Sequence, residues 1–450
     1  MGWTIGIDVG GTFTDLFAFE VLTGEIRLTK VSSTPNNPAN AVITGLKTLL
    51  SKAEINIRSL NRISHGTTVG TNALIQRKGG TVAMLTTKGF RDLLEIGRQT
   101  RPHMFSLIID HPPSLVPRHL RFEVDERSNS KGIGITPPDL NSVRNLVPKL
   151  TEENVESCAI GFLFAHLNGS HEEQVAEILK DEGFTQPLSL SSQVQPEFRE
   201  YERFSTTVLN AYLQPVVEEY LSTLEKEIIA LAPTASLGIN QSNGGLMSAD
   251  QARAFPVRTA LSGPAAGAMG AVHVSKEVNH PNVITLDMGG TSADVALIRD
   301  YDANISFDKE VAGFPIRLPA IDIETVGAGG GSIAWFDRDG LLKVGPQSAG
   351  ATPGPSCYAL GGQQPTVTDA NLILGRLSPK GLLDGTMPLQ LELAETAFLP
   401  LAKKLGFTVK KTAHGVLGIV IANMVRAIRT ISVERGHDPR QFALMAFGGA

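Results

Sequence analysis

Apolar residues at the start of the chain first alternate and then cycle. Trp3, Ile5 and Ile7 alternate with smaller residues up to Asp8, the period of a half-buried strand, and Phe13, Leu16, Phe17 and Phe19 beyond Gly10-Gly11 read as its hairpin partner. Thr23-Gly24-Glu25 marks a turn and Ile26 to Val31 a third strand. Asn37 and Pro38 then supply an N-cap and a first helical residue, and Val42, Ile43, Leu46, Leu49 and Leu50 form one apolar helical stripe.

The opening pattern returns far downstream. Val283, Ile284 and Leu286 run into Asp287, and Val295 to Ile298 follow the Gly289-Gly290 turn. Asp8, Gly10, Gly11, Thr12 and Asp15 match Asp287, Gly289, Gly290, Thr291 and Asp294 at one constant offset, the mark of a duplicated half-domain. Glycines at such a turn let backbone N–H groups approach an anion with no Cβ in the way, and the Thr12 and Thr291 hydroxyls add donors. Asp8 and Asp287 end their strands there, where a carboxylate holds Mg²⁺, usually through water, against phosphate oxygens. Either copy alone is an ordinary Gly-Gly hairpin; two matched copies favour phosphate.

Between the repeats, Ile63 to Gly80 reads as a strand, a polar turn and a helix starting near Val69, with His65, Thr67, Thr68, Thr71 and Asn72 at the junction. A strand is expected over Thr81 to Thr87, a helix over Arg91 to Arg98, and a buried strand over Cys158 to Ala165. Thr136-Pro137 caps a helix expected to run to Leu150. Arg98 and Arg101 could meet a carboxylate or phosphate, but a solvated basic turn is the favoured reading. The first lobe closes near Pro196, giving units of 1–195 and 196–450. The longest helix starts there, and Arg203, Thr206, Thr207 and Asn210 share one of its faces, an arrangement that suggests an interlobe or ligand-facing role. Ser262 to Ala271, SGPAAGAMGA, is a helix of small residues. Later glycines, Gly327 and Gly329 to Gly331, are interleaved with strand residues and predict shaped loops near a ligand; Asp322, Glu324 and Asp369 flank them as carboxylates or caps.

Composition narrows the class. The 450 residues have room for two or three domains, and 45 Gly with 26 Pro fit a turn-rich α/β chain. With 40 basic against 45 acidic residues and no dense basic stretch, nucleic acid is not expected as a partner. Cys158 and Cys357 lie far apart, which excludes a disulfide framework and suits a reducing, cytoplasmic compartment. Met1 runs almost directly into the first strand, so no targeting peptide is expected. No membrane partner is expected either, since no apolar stretch is read as reaching the roughly 20 residues of a membrane helix.

Paired turns of this kind resemble the phosphate hairpins of the superfamily of actin, sugar kinases and heat-shock chaperones. That resemblance implies an α/β duplicated ATPase fold whose two lobes close over ATP, with a small-residue helix crossing between them and Phe442 to Ala450, FALMAFGGA, opening the adenosine motif at Gly448 and Gly449. The chain stops there, so the second lobe is expected to be incomplete and the chain truncated at its C-terminal end. More narrowly, SHGTTVGTNALIQRKG, REYERFSTTVLNAYLQP, LSGPAAGAMGA, DMGGTSADVAL, ETVGAGGGSIAWFD, AGATPGPSCYALGG with PTVTDANLILGRL, and VERGHDPRQFALMAFGGA together resemble the A subunit of the hydantoinase/oxoprolinase family.

The family resemblance implies ATP-dependent opening of a cyclic amide such as 5-oxoproline or a hydantoin, with a hydantoinase B-type subunit or domain as partner. It assigns Asp8 and Asp287 to Mg²⁺ and water, Gly10 to Thr12 and Gly289 to Thr291 to phosphates, and Gly448 and Gly449 to adenosine. His65 is a candidate catalytic group, and Arg203 and Gly329 to Gly331 are candidates for the substrate side. A ketone carboxylase subunit, a small-molecule kinase and a non-catalytic ATP-driven switch are the competing readings.

Overall fold

A computed structural model describes residues 2–10, 13–34, 37–101, 104–105, 111–382, 385 and 387–449. Gly11 and Thr12 of the first turn, and Ala450, lie outside the described residues. The expected opening forms as read: β1 (Trp3–Val9), β2 (Phe13–Glu20) and β3 (Ile26–Ser32) make an antiparallel meander, followed by α1 (Pro38–Lys52). The five stripe residues of α1 are all buried against the sheet. Next come β4 (Leu60–Gly66), which pairs parallel to β1, α2 (Val69–Gln76) and β5 (Val82–Thr87).

Three sheets carry the architecture. The first has six strands, in the order Leu246–Ser248, Ser236–Asn240, β4, β1, β2, β3. A second, all-parallel sheet runs Leu188–Leu190, Ser157–Gly161, β5, Arg121–Val124. The third repeats the opening: Val283–Met288 pairs antiparallel with Ala293–Arg299, which also pairs with Asp302–Ala303 and Ile323–Val326, and pairs parallel with Ala443–Phe447. Ala443–Phe447 therefore stands where β4 stands in the first half. The duplicated α/β fold expected from the matched hairpins is the fold observed.

The division expected at 195/196 is corrected. Strand Ser236–Asn240 is hydrogen-bonded to β4, and one continuous core joins Ile5 to residues as late as Val257 and Ala260. A parallel strand must satisfy its backbone on both sides, and β4 finds its outer partner only in that later segment. Other boundaries also move. The helix expected from Thr136 to Leu150 is two pieces, Leu140–Arg144 and Val147–Glu152, with Asp139 as the first cap, and the Arg91–Arg98 helix shrinks to Leu93–Ile96. The stretch Val409–Arg435 contains a helix, Val409–Ile431, long and apolar enough to cross a membrane by length and composition, which corrects the reading that none exists. Its Ala413, Val416, Leu417 and Val420 pack into a core with Phe398 and Ala293.

Helix Glu200–Leu231 organises the first lobe. Pro215 within it has no N–H for the Ala211 carbonyl, and Ser157 Oγ donates there instead at 2.7 Å. Its polar face is not a ligand surface, as the sequence suggested, but an internal network. Arg203 is fully buried and donates from Nε to Ser191 Oγ (3.1 Å), from Nη1 to His166 Nδ1 (2.9 Å) and the Glu197 carbonyl (3.1 Å), and from Nη2 to the Phe162 carbonyl (2.6 Å). Thr206 Oγ accepts the Arg317 N–H, and the Asn210 amide donates to Ser189 Oγ and the Ala254 carbonyl. Arg203 thus spends four of its five donors on protein partners, and its full burial closes it to substrate.

Arg203→Leu is expected to destabilise the fold by about 3 kcal/mol or more, because it leaves buried carbonyls without donors. A urea midpoint equal to that of the parent chain would show that the network is not structural.

Candidate functional site

The two hairpins close alike. The Gly10 N–H donates to the Phe13 carbonyl at 3.0 Å, and the Gly289 N–H to the Ser292 carbonyl at 2.9 Å, at matching positions of the repeat. Each turn keeps its aspartates directly opposite across the hairpin, Asp8 facing Asp15 and Asp287 facing Asp294. Like charges in that register are destabilising unless something neutralises them. Asp15 has a neutraliser: Lys30, its cross-strand neighbour on β3, with Nζ at 2.9 Å. Asp294 accepts a hydrogen bond from Thr325 Oγ.

Asp8 and Asp287 have neither a donor nor an ion-pair partner among the described residues. Asp8 keeps contact with solvent, yet protein surrounds it on most sides: burial, then the charges of Asp287 and Asp15, push its carboxyl up to about 6 against the pull of Lys30. Burial and Asp294 raise Asp287 to about 6, and burial raises Asp294 to about 6. Asp8 and Asp287 therefore feel each other across the gap between lobes.

Helix Ser262–Glu277 spans that gap, as its small residues implied. It contacts β4 and Ser236–Asn240 of the first sheet, and Val283–Met288 and Ala293–Arg299 of the third. Its first turn is tied to the first lobe by Ser262 Oγ donating to the Thr67 carbonyl (3.2 Å) and the Leu261 N–H to Thr71 Oγ (3.1 Å). Two glycines one turn apart then meet the two aspartates. A Cβ on Gly263 would lie 3.5 Å from Asp8 Oδ1, and one on Gly267 would lie 3.4 Å from Asp287 Oδ2 and 3.2 Å from the Phe447 ring. Gly448, with φ +111°, completes the enclosure, since a Cβ there would come 2.7 Å from Asp287 Oδ1. Lys30 Nζ approaches within 3.2 Å of the Cβ position of Gly449, so first-lobe cation and last-strand turn face one another.

The donor set fits a divalent cation bound with phosphate. Two unpartnered carboxylates of raised pKa share a cleft, and the Gly290 and Thr291 N–H groups and the Thr291 hydroxyl make no hydrogen bond among the described residues. No three Asp, Glu, His or Cys side chains converge as a direct metal site among the described residues.

Other expected site residues are placed elsewhere. His65 is wholly buried, its Nε2 2.7 Å from the Tyr220 hydroxyl, and burial lowers its pKa to about 4; it is a neutral core residue, which corrects the catalytic reading. Its side chain shares the core face of Ile7, whereas Asp8 ends on the other face of the neighbouring strand. Gly329 to Gly331 are buried braces for the second hairpin and not a substrate loop. The Gly330 and Gly331 N–H groups donate to the Gly289 and Gly290 carbonyls at 3.0 and 2.6 Å, and a Cβ on Gly329 would strike the Thr291 backbone at 2.5 Å. Asp369 forms a capping box with Thr366, and Asp322 is paired with Lys309 and Arg435.

Lys30, Gly263 and Gly267 escaped sequence reasoning as site residues. The spacing of the two glycines on a small-residue helix was the available signal; Lys30 offered none.

These features define a two-lobed protein with a matched aspartate-bearing hairpin on each lobe, and the comparisons narrow the class. The family model described as hydantoinase/oxoprolinase matches residues 203–450, and that for the hydantoinase/oxoprolinase N-terminal region matches residues 4–183. The chain belongs to the hydantoinase/oxoprolinase family. It is 40% identical to the caprolactamase subunit alpha of Pseudomonas jessenii, over 100% of this chain and 65% of that protein. It is 35% identical to the 5-oxoprolinase of Dictyostelium discoideum, over 99% of this chain and 38% of that protein. A nucleotide-free acetone carboxylase structure superposes with a TM-score of 0.85 at 27% identity, covering 99% of this chain and 65% of that one. The chain thus spans about two thirds or less of these relatives.

The raised carboxyls carry a test. A carboxyl with a folded pKa near 6 contributes stability that is present below its ordinary value of 3.8 and lost as pH rises through about 6. Asp287→Asn is therefore expected to hold or raise the melting temperature at pH 7.5, by roughly 1–2 °C, while removing protection by Mg²⁺ with nucleotide. A lower melting temperature with protection intact, read by differential scanning fluorimetry, would refute the assignment.

Proposed function

We propose that this chain is the ATP-using part of an enzyme that opens a cyclic amide of the caprolactam, 5-oxoproline or hydantoin type. The observation that carries the reading is the pairing of Asp8 and Asp287 across one helix, with Gly263 and Gly267 giving each carboxylate a clear approach to the same cleft. The family membership and the 40% identity to a caprolactamase subunit support the choice of substrate class.

An amide carbonyl resists attack because resonance spreads the nitrogen lone pair onto oxygen. Transfer of a phosphoryl group to that oxygen removes the resistance, and the transfer itself requires positioning and charge neutralisation. Mg²⁺, when bound, would neutralise phosphate charge beside Asp8 and Asp287. The chain's own contribution is clearest at the second turn: Gly290 and Thr291 present free donors, Gly330 and Gly331 hold the Gly289 and Gly290 carbonyls from behind, and Gly448 encloses Asp287 on the side of the last strand. Lys30 balances Asp15 and so limits the negative charge that an incoming nucleotide meets. Ring opening then falls to a hydantoinase B-type partner, consistent with a close relative being a subunit.

A second reading, activation of a ketone for carboxylation, is favoured by the superposition on acetone carboxylase. A coupled ADP-release assay separates the two. With a B-type partner, ADP release is expected to depend on a lactam or hydantoin and to be indifferent to bicarbonate, while the chain alone turns over little. Asp8→Asn is expected to lower the rate at least about 100-fold, the scale of losing a charge-stabilising group. Bicarbonate-dependent release with ketones would transfer the assignment to the second reading, and release of a stable phosphorylated product would overturn both.

A further inference from the structure

A second site lies in the parallel sheet of the first lobe, away from the hairpins. Its chain order is that of a doubly wound sheet: β5 at the start, Arg121–Val124 on one side of it, then Ser157–Gly161 and Leu188–Leu190 on the other. Connections leave β5 and Ser157–Gly161 in opposite directions, so a crevice opens between the carboxyl ends of these two strands. Crevices at such reversal points are where open parallel sheets bind ligands. In this chain the crevice is a cavity of about 680 Å³, within the range of small-molecule sites, lined by the segment after β5 and the segment after Gly161, and closed by the first turn of Glu200–Leu231.

Its lining is specific in kind. Phe90, Phe164, Phe198 and Tyr201 bring four aromatic rings to it, and Phe198 is 58% exposed, an apolar surface held against water. Most charges near it are already paired. Asp92 is held by Arg118 at 2.8 and 2.9 Å, and Arg98 by Glu202 at 2.7 Å. Arg199 is different: its guanidinium lies 5.6 Å from the Phe198 ring centre and makes no ion pair or hydrogen bond with a carboxylate among the described residues, although its charge reaches Glu202. It is also held at φ +76°, a conformation that a non-glycine residue adopts only when its surroundings impose it. His166 adds a donor. Buried Arg203 donates to its Nδ1, so the proton sits on Nε2, on the edge of the ring away from Arg203, and burial together with the Arg203 charge keeps the imidazole neutral.

We propose that this cavity binds a small aromatic carboxylate, its ring among Phe90, Phe164, Phe198 and Tyr201 and its carboxylate on Arg199 and the His166 Nε2–H. Arg199, the one lining arginine with no ion pair among the described residues, matches one negative charge. A phosphate dianion would bring a second charge toward Glu200 and Glu202 of the adjoining helix turn. The site goes beyond the proposed ring-opening function, and its failure leaves that function standing.

Isothermal titration of the 450-residue chain with phenylacetate, phenylacetamide and acetate tests it. Phenylacetate is expected to bind at one saturable site, with phenylacetamide and acetate each at least about tenfold weaker, as loss of a charge-assisted contact or of the ring requires. Arg199→Gln is expected to weaken phenylacetate about tenfold and leave phenylacetamide unchanged, whereas Asp8→Asn changes neither. Arg199 is exposed, so the variant keeps the fold, which circular dichroism verifies. Equal affinity for phenylacetate and its amide, indifference to Arg199→Gln, or no saturable binding at millimolar concentration would overturn the proposal.

Discussion

Two aspartates of like charge are brought toward one cleft with no cation ion-paired to either among the described residues, and much of the architecture serves to hold them there. Electrostatics alone would drive Asp8 and Asp287 apart. They stay because each ends a buried central strand, and because the helix between them presents hydrogen atoms where any larger residue would present a side chain. Gly263 and Gly267 are one helical turn apart, so one helix face meets both lobes at once. The resulting tension appears in carboxyl groups pushed up to about 6 by burial and by neighbouring like charges.

The lobes reach this arrangement with different supports. In the first, Lys30 neutralises the outer aspartate, Asp15, and the turn carbonyl of Gly10 accepts from Ser33 Oγ at 2.8 Å. In the second, Thr325 replaces the lysine with a neutral donor, and the glycine loop 329–331 stitches its backbone to that of the hairpin. Only glycine permits that contact, since a side chain at 329 would occupy the backbone of Thr291. A repeat at the level of the hairpins has thus diverged in everything that braces them, as expected when a turn's chemistry is constrained more tightly than its scaffolding.

Burial explains why several polar residues that looked functional are not at the site. Arg203, Asn210 and Thr206 lie on the part of the helix, residues 203–214, that is buried all round, and a polar group there must find protein partners because water is absent. The same enclosure holds the junction with the parallel sheet, where Ser157 supplies the hydrogen bond that Pro215 cannot. The internal network has one outward consequence: by fixing the proton of His166, Arg203 sets the chemistry of a cavity it does not itself line.

The sequence by itself determined the duplicated hairpins, the strand–turn–strand pattern around each aspartate, the small-residue crossing helix and the family, because these are encoded in local spacing and in residue types with few alternative uses. It also determined that glycines 329–331 would be shaped. Tertiary structure decided what they are shaped against, that the first sheet recruits Ser236–Asn240, and that His65 turns into the core while Asp8 turns to the cleft. Adjacent strand residues point to opposite faces, and which face is cleft and which is core depends on what packs above the sheet. Helices far along the chain provide that packing, Tyr220 above His65 and Gly263 above Asp8, and no local pattern specifies contacts between segments so distant in sequence.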